Sequence, residues 1–371
     1  MKKKILHISN YYPPQIGGIE DVCRSIATAL LEQEQQVICF HDESQTVKEI
    51  VEGIPVTRCG VWRKLFSQSV SFSFYKELKR IFKTFDPDFV HFHTPNPLSS
   101  VYLLLALPKK TKLIVHWHSD IIKQSFLYLF FHPIEKRLLK RADKIVATSP
   151  TYIHGSKPLQ LWSNKVTVIP NTVNESKLMK QDGDEQAIAE IKQFYGGQKI
   201  VFTFGRHVPY KGLKYLVEAA PLVSNDVAIV VAGKGPLSKS LKNSAKKFPN
   251  IHFIGRLEEN VLRQYLYASD VFVFPSITRN EAFGIALAEA MYCGLPAVTF
   301  TIPDSGVNWV CLNGETGLEV ENRNVQALAE AINHLATAAD LRKKLGENAA
   351  RRVRADFTIE AIKEHLDELY V

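Results

Sequence analysis

Cysteine is sparse and unpatterned in this chain. Five cysteines (Cys23, Cys39, Cys59, Cys293 and Cys311) stand among 371 residues, and none forms a Cys-x-x-Cys pair. An odd count without metal-ligand spacing excludes a disulfide framework and predicts reduced thiols in a cytosolic protein. A targeting segment is likewise not expected at residues 1–9. Lys2-Lys3-Lys4 resembles the start of a signal peptide, but the apolar stretch after it is short and soon polar. It reads better as a first strand, Ile5–Ser9. No low-complexity tract interrupts the 46% of apolar residues, so disorder is excluded over most of the length. The glycine pattern Gly-x-Gly-x-x-Gly is missing after the first strand, which argues against a simple dinucleotide site.

What remains is a long globular chain with uneven charge. It exceeds one comfortable core and suits two domains. The net charge is +8, yet residues 1–180 carry 25 Lys+Arg against 15 Asp+Glu, and the remainder carries 21 against 23. The basic half predicts an anionic partner such as phospholipid, a lipid diphosphate or nucleic acid; a merely basic soluble surface is as good a reading. Ser125–Phe131 is an apolar segment flanked by Lys123, Lys136, Arg137, Lys140 and Arg141. Seven residues cannot span a bilayer. The segment admits two readings, a surface-lying amphipathic element on an anionic membrane or a buried helix with a solvated face, the second slightly preferred.

Strand-like runs alternate with helical periodicity from one end to the other. Residues 4–9, a loop ending in Gly17-Gly18, a helix bearing Ile19, Val22, Cys23, Ile26 and Leu30 on one face, and Val37–His41 make a strand–loop–helix–strand unit. Further strands are predicted at 89–93, 112–116, 144–148 and 165–169. A polar stretch at 174–187 reads as a linker. The alternation then restarts at 199–204, 226–232, 251–254, 271–274 and 296–300. The expected fold is α/β: two facing doubly wound Rossmann-like domains with a cleft between their carboxyl edges. The first covers 1–173 and the second 174–355, with a final helix at 356–371 crossing back to the first domain.

Chemistry concentrates at the ends of particular strands. After 271–274 a polar loop delivers Glu281 and Phe283-Gly284 to a helix beginning near Ile285, with Glu289 eight residues beyond Glu281. Free N–H groups at that helix start suit an anion, and the carboxylate beside them suits hydroxyls. After 199–204, Arg206 and Lys211 offer a planar fork and a point charge to a diphosphate. His93, His118, Ser119 and Asp120 fall at the carboxyl edge of the first domain, where a histidine is more often structural than catalytic. Asp86-Pro-Asp88 precedes a strand and reads as a turn, so no metal is assigned to it. Singly, each of these features has an ordinary structural reading.

Taken in order, Gly17-Gly18, His118, Arg206 with Lys211, and Glu281 with Glu289 resemble glycosyltransferase family 4, retaining enzymes of the GT-B architecture, over almost the whole chain. The resemblance to the bacterial surface-polysaccharide type implies transfer of a hexose from a nucleotide-sugar donor to a glycan or polyprenyl-diphosphate-linked acceptor. GDP-mannose is the preferred donor and a UDP-sugar the next. It implies that Glu281 holds the sugar hydroxyls, with the backbone of Phe283, Gly284 and Ile285 beside sugar and diphosphate. Glu289 would bond the ribose, Arg206 and Lys211 would clamp the diphosphate, and His118 would contact the sugar. Gly17-Gly18 would approach the donor, and Gly255-Arg256-Leu257 would meet the base. No metal, cofactor or protein nucleophile is expected, since in this family the diphosphate oxygen is described as taking the acceptor proton. The stretch 302–314 departs from the pattern, and Asp304 and Asn308 receive no catalytic role. The expected location is the cytoplasm, with peripheral contact to an anionic membrane and no nucleic-acid partner. The competing readings are an epimerase or hydrolase on the same fold, or a non-catalytic nucleotide-sugar or nucleic-acid-binding protein.

Overall fold

The computed structural model describes residues 2–15, 17–65, 68–120 and 125–371, with side chains throughout except at Leu65, Gln68 and 125–130. The chain divides into two compact units, Met1–Asn171 with Ile362–Val371, and Thr172–Ala361. The boundaries fall at 171/172 and 361/362 rather than at 173/174 and 355/356. Both displacements have one cause. Val173 N–H donates to Phe357 O (2.9 Å), and Phe357 is fully buried against Phe283 and Trp309 of the second unit. Those residues therefore belong to the second core. A helix runs over Ala339–Asp356, breaks at Phe357, and a shorter helix at Ile359–Asp367 leads to the 3-10 turn Glu368–Tyr370.

In the first unit the strands are β1 (Lys4–Ile8), β2 (Glu34–His41), β3 (Val47–Val51), β4 (Ile54–Gly60), the small pair β5 (Arg63–Leu65) and β6 (Gln68–Val70), β7 (Phe89–Thr94), β8 (Lys112–Trp117), β9 (Lys144–Ala147) and β10 (Val166–Val168). Among the described residues the main sheet has the order β10-β9-β8-β7-β1-β2-β4-β3, parallel except for β3. The β3–β4 hairpin was not expected from the sequence. Its two-residue turn puts Glu52 (φ +51°) and Gly53 (φ +82°) in the left-handed region, the primed-turn geometry that matches strand twist. Strand β7 is buried along its whole length, as a central parallel strand is.

The apolar run at 125–131 opens the helix Ser125–Arg141. The side chains that would decide between a buried and a membrane-facing role lie outside the described residues. No helix among them is long and apolar enough to cross a membrane.

The second unit holds β11 (Lys199–Phe204), β12 (Val227–Ala232), β13 (Ile251–Gly255), β14 (Val271–Phe274), β15 (Ala297–Phe300) and β16 (Gly317–Val320). All pairs are parallel, in the order β13-β12-β11-β14-β15-β16. The chain winds outward from β11 in one direction and from β14 in the other. Their carboxyl ends therefore splay apart and leave a crevice, the place where open α/β sheets take ligands. In the first unit the same reversal lies between β1 and β7.

The stretch read as a linker, 174–187, is instead structured. A helix spans Asp184–Phe194, and the Asp184 carboxylate receives a two-pronged contact from Arg263, Nε to Oδ2 at 2.7 Å and Nη2 to Oδ1 at 3.1 Å. Gln181 N–H and Gln264 Nε2 complete its shell, and both charged side chains are about 95% buried or more. Polarity alone misread the segment, because the charge is used inward. Hydrogen bonding from the guanidinium holds the Asp184 carboxyl well below the usual carboxylate range. Its stabilisation is therefore complete above the unfolded value of about 3.9 and is lost as pH falls below it toward the folded value. Asp184→Asn leaves the buried Arg263 charge without its counterpart and is expected to cost about 3 kcal/mol at neutral pH. Denaturant unfolding at pH 7 and pH 3 checks this: the difference between variant and parent should shrink in acid.

Candidate active site

The crevice between β11 and β14 is a small open recess. Thr203, Phe204, Gly205, Arg206, Lys211, Leu213, Phe274, Pro275 and Ser276 line it. Two loops bring the polar groups there. The loop after β11 carries Arg206 and ends in the 3-10 turn Pro209–Lys211, and Gly212 starts the helix Leu213–Ala219. The loop after β14 carries Ser276 and Glu281 to the helix Ile285–Tyr292.

Close backbone approach fixes the two loops against each other. Gly212 has φ +63°, and a Cβ there would stand 1.9 Å from Pro275 O. Ile277 N–H donates to Tyr210 O at 2.9 Å. Lys211 and Glu281, seventy residues apart in sequence, thereby form an ion pair with side chains only 16% and 12% exposed. Ser276 Oγ donates to the same carboxylate oxygen at 3.1 Å, and the Lys211 ammonium lies 4.6 Å from the Phe274 ring centre. The Glu281 backbone carbonyl accepts from Ser305 Oγ. Burial, with the Glu281 carboxylate near, raises the Tyr210 phenol above its ordinary value.

Arg206 is exposed at the rim, and its guanidinium forms no hydrogen bond or ion pair among the described residues. Phe283 anchors the second loop. Its ring is buried edge-on to Phe357 at 5.3 Å. Gly284 has φ +93°, with space for no more than a tight Cβ against the Phe274 ring at 3.1 Å. The amides of Phe283, Gly284 and Ile285 make no hydrogen bond among the described residues. They are the free donors of a helix start, where the macrodipole favours negative charge.

Gly255 ends β13, two strands from β11, and Arg256 and Leu257 follow it. They stand on the same sheet edge but do not line this recess. Glu289 lies four residues inside its helix and is likewise not in the lining. Asn308 is structural, its Oδ1 accepting from Ile302 N at 2.8 Å and its Nδ2 donating to Phe300 O at 3.1 Å.

The sequence did not single out Ser276, Ser305, Tyr210 or Gly233. Gly233 had a signal, the glycines of Gly233-Lys234-Gly235 just past a strand. A Cβ on it would sit 2.0 Å from Gly205 O, so the ends of β11 and β12 close together only over glycine. The serines had none; only their partners in space reveal them.

In the first unit Gly17 is extended (φ −175°) and its carbonyl caps the helix Gly18–Ala29 by accepting from Asp21 N–H. His118 is 8% exposed, and its Nε2 and His93 Nδ1 share a hydrogen bond at 2.9 Å. It ends a row of stacked imidazoles. His116 and His118 lie 4.3 Å apart and nearly parallel, and His91 and His93 4.8 Å apart. The row has a simple origin: β-strand alternation and the registers His7↔His91 and His93↔His116 put these rings on one sheet face. Burial lowers the His118 imidazole to about 3 and His7 to about 4, and holds His91, His93 and His116 well below their ordinary value, so the row is neutral at physiological pH.

Two family descriptions match the chain, glycosyl transferases group 1 over residues 184–352 and glycosyltransferase family 4 over residues 16–177. Solved structures of the same fold include sucrose-phosphate synthase from Thermosynechococcus elongatus, with a TM-score of 0.83, 21% identity and coverage of 100% of this chain and 98% of that one. HepE from Anabaena in complex with UDP-glucose gives a TM-score of 0.79 at 19% identity, covering 99% of each. The architecture is therefore that of the two-unit GT-B glycosyltransferases. At the level of sequence, O-antigen chain mannosyltransferase C of Escherichia coli is 30% identical over 376 residues, 99% of this chain and 97% of that protein. D-rhamnosyltransferase WbpZ of Pseudomonas aeruginosa is 30% identical over 96% and 92%. The chain belongs to glycosyltransferase family 4.

The Gly212 contact makes a separable claim about how the site is built. Gly212→Ala adds a backbone collision to the strain of positive φ and is expected to cost more than about 2 kcal/mol. Gly294→Ala, at φ +84° with no atom within 4 Å of the new Cβ, carries the strain alone, about 1 kcal/mol. Chemical denaturation of the two variants measures the difference; equal losses would mean that the close approach of Gly212 to Pro275 contributes nothing.

Proposed function

We propose that this protein is a retaining hexosyltransferase of bacterial surface-glycan synthesis, taking its sugar from a nucleotide-sugar donor. The reading rests above all on the Lys211–Glu281–Ser276 network at the β11/β14 crevice, beside the exposed Arg206 guanidinium and three free amides. Few ligands use cations, helix-end donors and a carboxylate together. A sugar joined to a nucleoside diphosphate does, the diphosphate taking the positive groups and the hydroxyls the carboxylate.

The chemistry follows from where charge develops. As the bond from the sugar C1 to the diphosphate oxygen breaks, negative charge grows on the leaving group. Lys211 and Arg206 then bind it more strongly than in the ground state. The acceptor hydroxyl adds to C1 on the same face, and its proton passes to the departing phosphate oxygen. Bonds and charge balance without a protein nucleophile, and the two cations make a divalent ion at the diphosphate unnecessary. Glu281 accepts hydrogen bonds from the sugar hydroxyls and orients C1. Glu289 is assigned to the ribose and Gly255-Arg256-Leu257 to the base. His118 and Gly17-Gly18 are assigned to the donor on the family resemblance; His118 has Nδ1 to offer, since its Nε2 is engaged with His93.

A GDP-linked hexose, mannose before others, is the donor we favour, in keeping with the mannosyl- and rhamnosyltransferases it resembles. A GDP-mannose-dependent mannosyltransferase of Corynebacterium glutamicum, 24% identical over 99% of this chain, points the same way. The acceptor we favour is a polyprenyl-diphosphate-linked glycan reached from the cytoplasmic side, which suits the basic first half. Thermal stabilisation across GDP-, UDP- and dTDP-sugars, followed by transfer assays with the responding donor, tests the reading. Glu281→Gln is expected to lower kcat by about 10²–10³ while donor affinity changes only a few-fold. Near-normal turnover in that variant, or donors that never stabilise the parent, would overturn the assignment.

A further inference from the structure

The buried histidine row leaves two nitrogens without a hydrogen bond among the described residues, beside a buried thiol. His7 Nε2 faces Gln35 Oε1 at 2.9 Å, and the Gln35 amide nitrogen donates to Ala27 O at 3.0 Å and Leu30 O at 2.6 Å. The glutamine oxygen can only accept, so His7 carries its proton on Nε2. His7 Nδ1 is then a bare lone pair, fully buried and without a partner among the described residues. His93 is similar. Its Nδ1 is taken by His118, and its Nε2 is buried and has no partner among the described residues. Cys23, on the helix Gly18–Ala29 that covers this face, is fully buried and supplies the third atom. One ligand atom from each of His7, Cys23 and His93 lies within 4.8 Å of the other two.

We propose that His7 Nδ1, His93 Nε2 and Cys23 Sγ form a zinc site. Two imidazole nitrogens and a thiolate are a borderline-soft donor set that zinc favours over magnesium or calcium. Around tetrahedral zinc such atoms stand about 3.3–3.8 Å apart, within side-chain movements of about an ångström from where they are. The groups behind the ligands are in place. Gln35 fixes the tautomer of His7, and His118 Nε2 stands where it accepts from His93 Nδ1–H once Nε2 is the ligand, the arrangement that metal-bound histidines require. Binding displaces the thiol proton: Zn²⁺ and Cys23–SH give the zinc thiolate and one H⁺ released to solvent. The fourth position falls to water or to the buried hydroxyl of Ser9, next to the Cys23 thiol.

A second triad, His91, His93 and His116, is just as compact but chemically different. Both nitrogens of His91 are engaged, Nδ1 with Tyr370 Oη at 2.5 Å and Nε2 with His116 Nδ1 at 3.2 Å. That group is a hydrogen-bonded relay to the C-terminal turn. The zinc site instead ties β1, β7 and the helix after Gly17 together, and so fixes the loop that carries Gly17-Gly18.

The test uses full-length protein without a histidine tag, produced with added zinc and freed of loose metal by gel filtration. Elemental analysis is expected to give about one zinc per chain in the parent and in Cys39→Ala, and at least a tenfold loss in Cys23→Ala. Cys39→Ala removes a neighbouring buried thiol that is not a ligand, so it separates a specific site from general thiol binding. Folding of each variant is checked by circular dichroism. Should Cys23→Ala fail to fold, cobalt replaces zinc in the parent, where a thiolate-to-cobalt charge-transfer band supports the site. Folded parent without metal, full occupancy in Cys23→Ala, or bound cobalt lacking the thiolate band would each overturn it.

Discussion

Reversal of winding direction at β11 and β14 governs this molecule's chemistry. A parallel sheet closes its surface with a crossover helix after every strand, and only where successive crossovers depart in opposite directions is the carboxyl edge left open. In the second unit that opening receives Arg206 and Lys211 from one side and Ser276 and Glu281 from the other. The residues come from distant parts of the sequence because the topology, not local spacing, makes them neighbours. Glycine completes the construction. Gly212 and Gly233 stand where a side chain would strike a carbonyl oxygen, so the loops over this edge pack backbone on backbone.

Most of the strand framework was legible because buried parallel strands write themselves as short β-branched runs. Val227–Ala232 and Val271–Phe274 leave little else to be. Features whose meaning lies in a partner were harder. The β3–β4 hairpin turns at Glu52-Gly53, which lacks the Asn-Gly or Asp-Gly signature, and its exposed β3 has no apolar alternation. Asp184 sits in a polar stretch that composition calls a linker, and only Arg263, 79 residues away, reveals it as an anchor. The ordered set Arg206, Lys211, Glu281 and Glu289 was visible in the sequence, but the serines that bind Glu281 were not.

The histidine row shows the same limit from the opposite side. Taken one at a time, His7, His91, His93 and His116 look like tolerated polar residues on strands. Strand alternation and inter-strand register turn them into a column within a core, and a buried polar column must satisfy its nitrogens or leave them at a penalty. Tyr370, Gln35 and His118 satisfy several of them. Cysteine spacing likewise contains no metal pattern, since Cys23 meets its neighbours across a helix–sheet interface rather than along the chain.

The Lys211–Glu281 pair connects packing to reactivity. Its two charges are partly removed from water but hold each other, so the site is ready without an uncompensated ion. On the reading proposed here, a nucleotide sugar exchanges that contact for two others, phosphate on the ammonium and hydroxyls on the carboxylate. Each charge gains a new partner as it loses the old one, so neither is left uncompensated in its largely buried setting. Ser276 keeps the carboxylate aimed after the lysine turns to the phosphate. As the C1 bond stretches, Lys211 and Arg206 meet the charge that grows on the diphosphate, while Glu281 acts through the hydroxyls it holds, keeping C1 placed for the reaction so that its loss falls on kcat. Differential binding of this kind separates the roles of two residues that, before donor arrives, form a single ion pair.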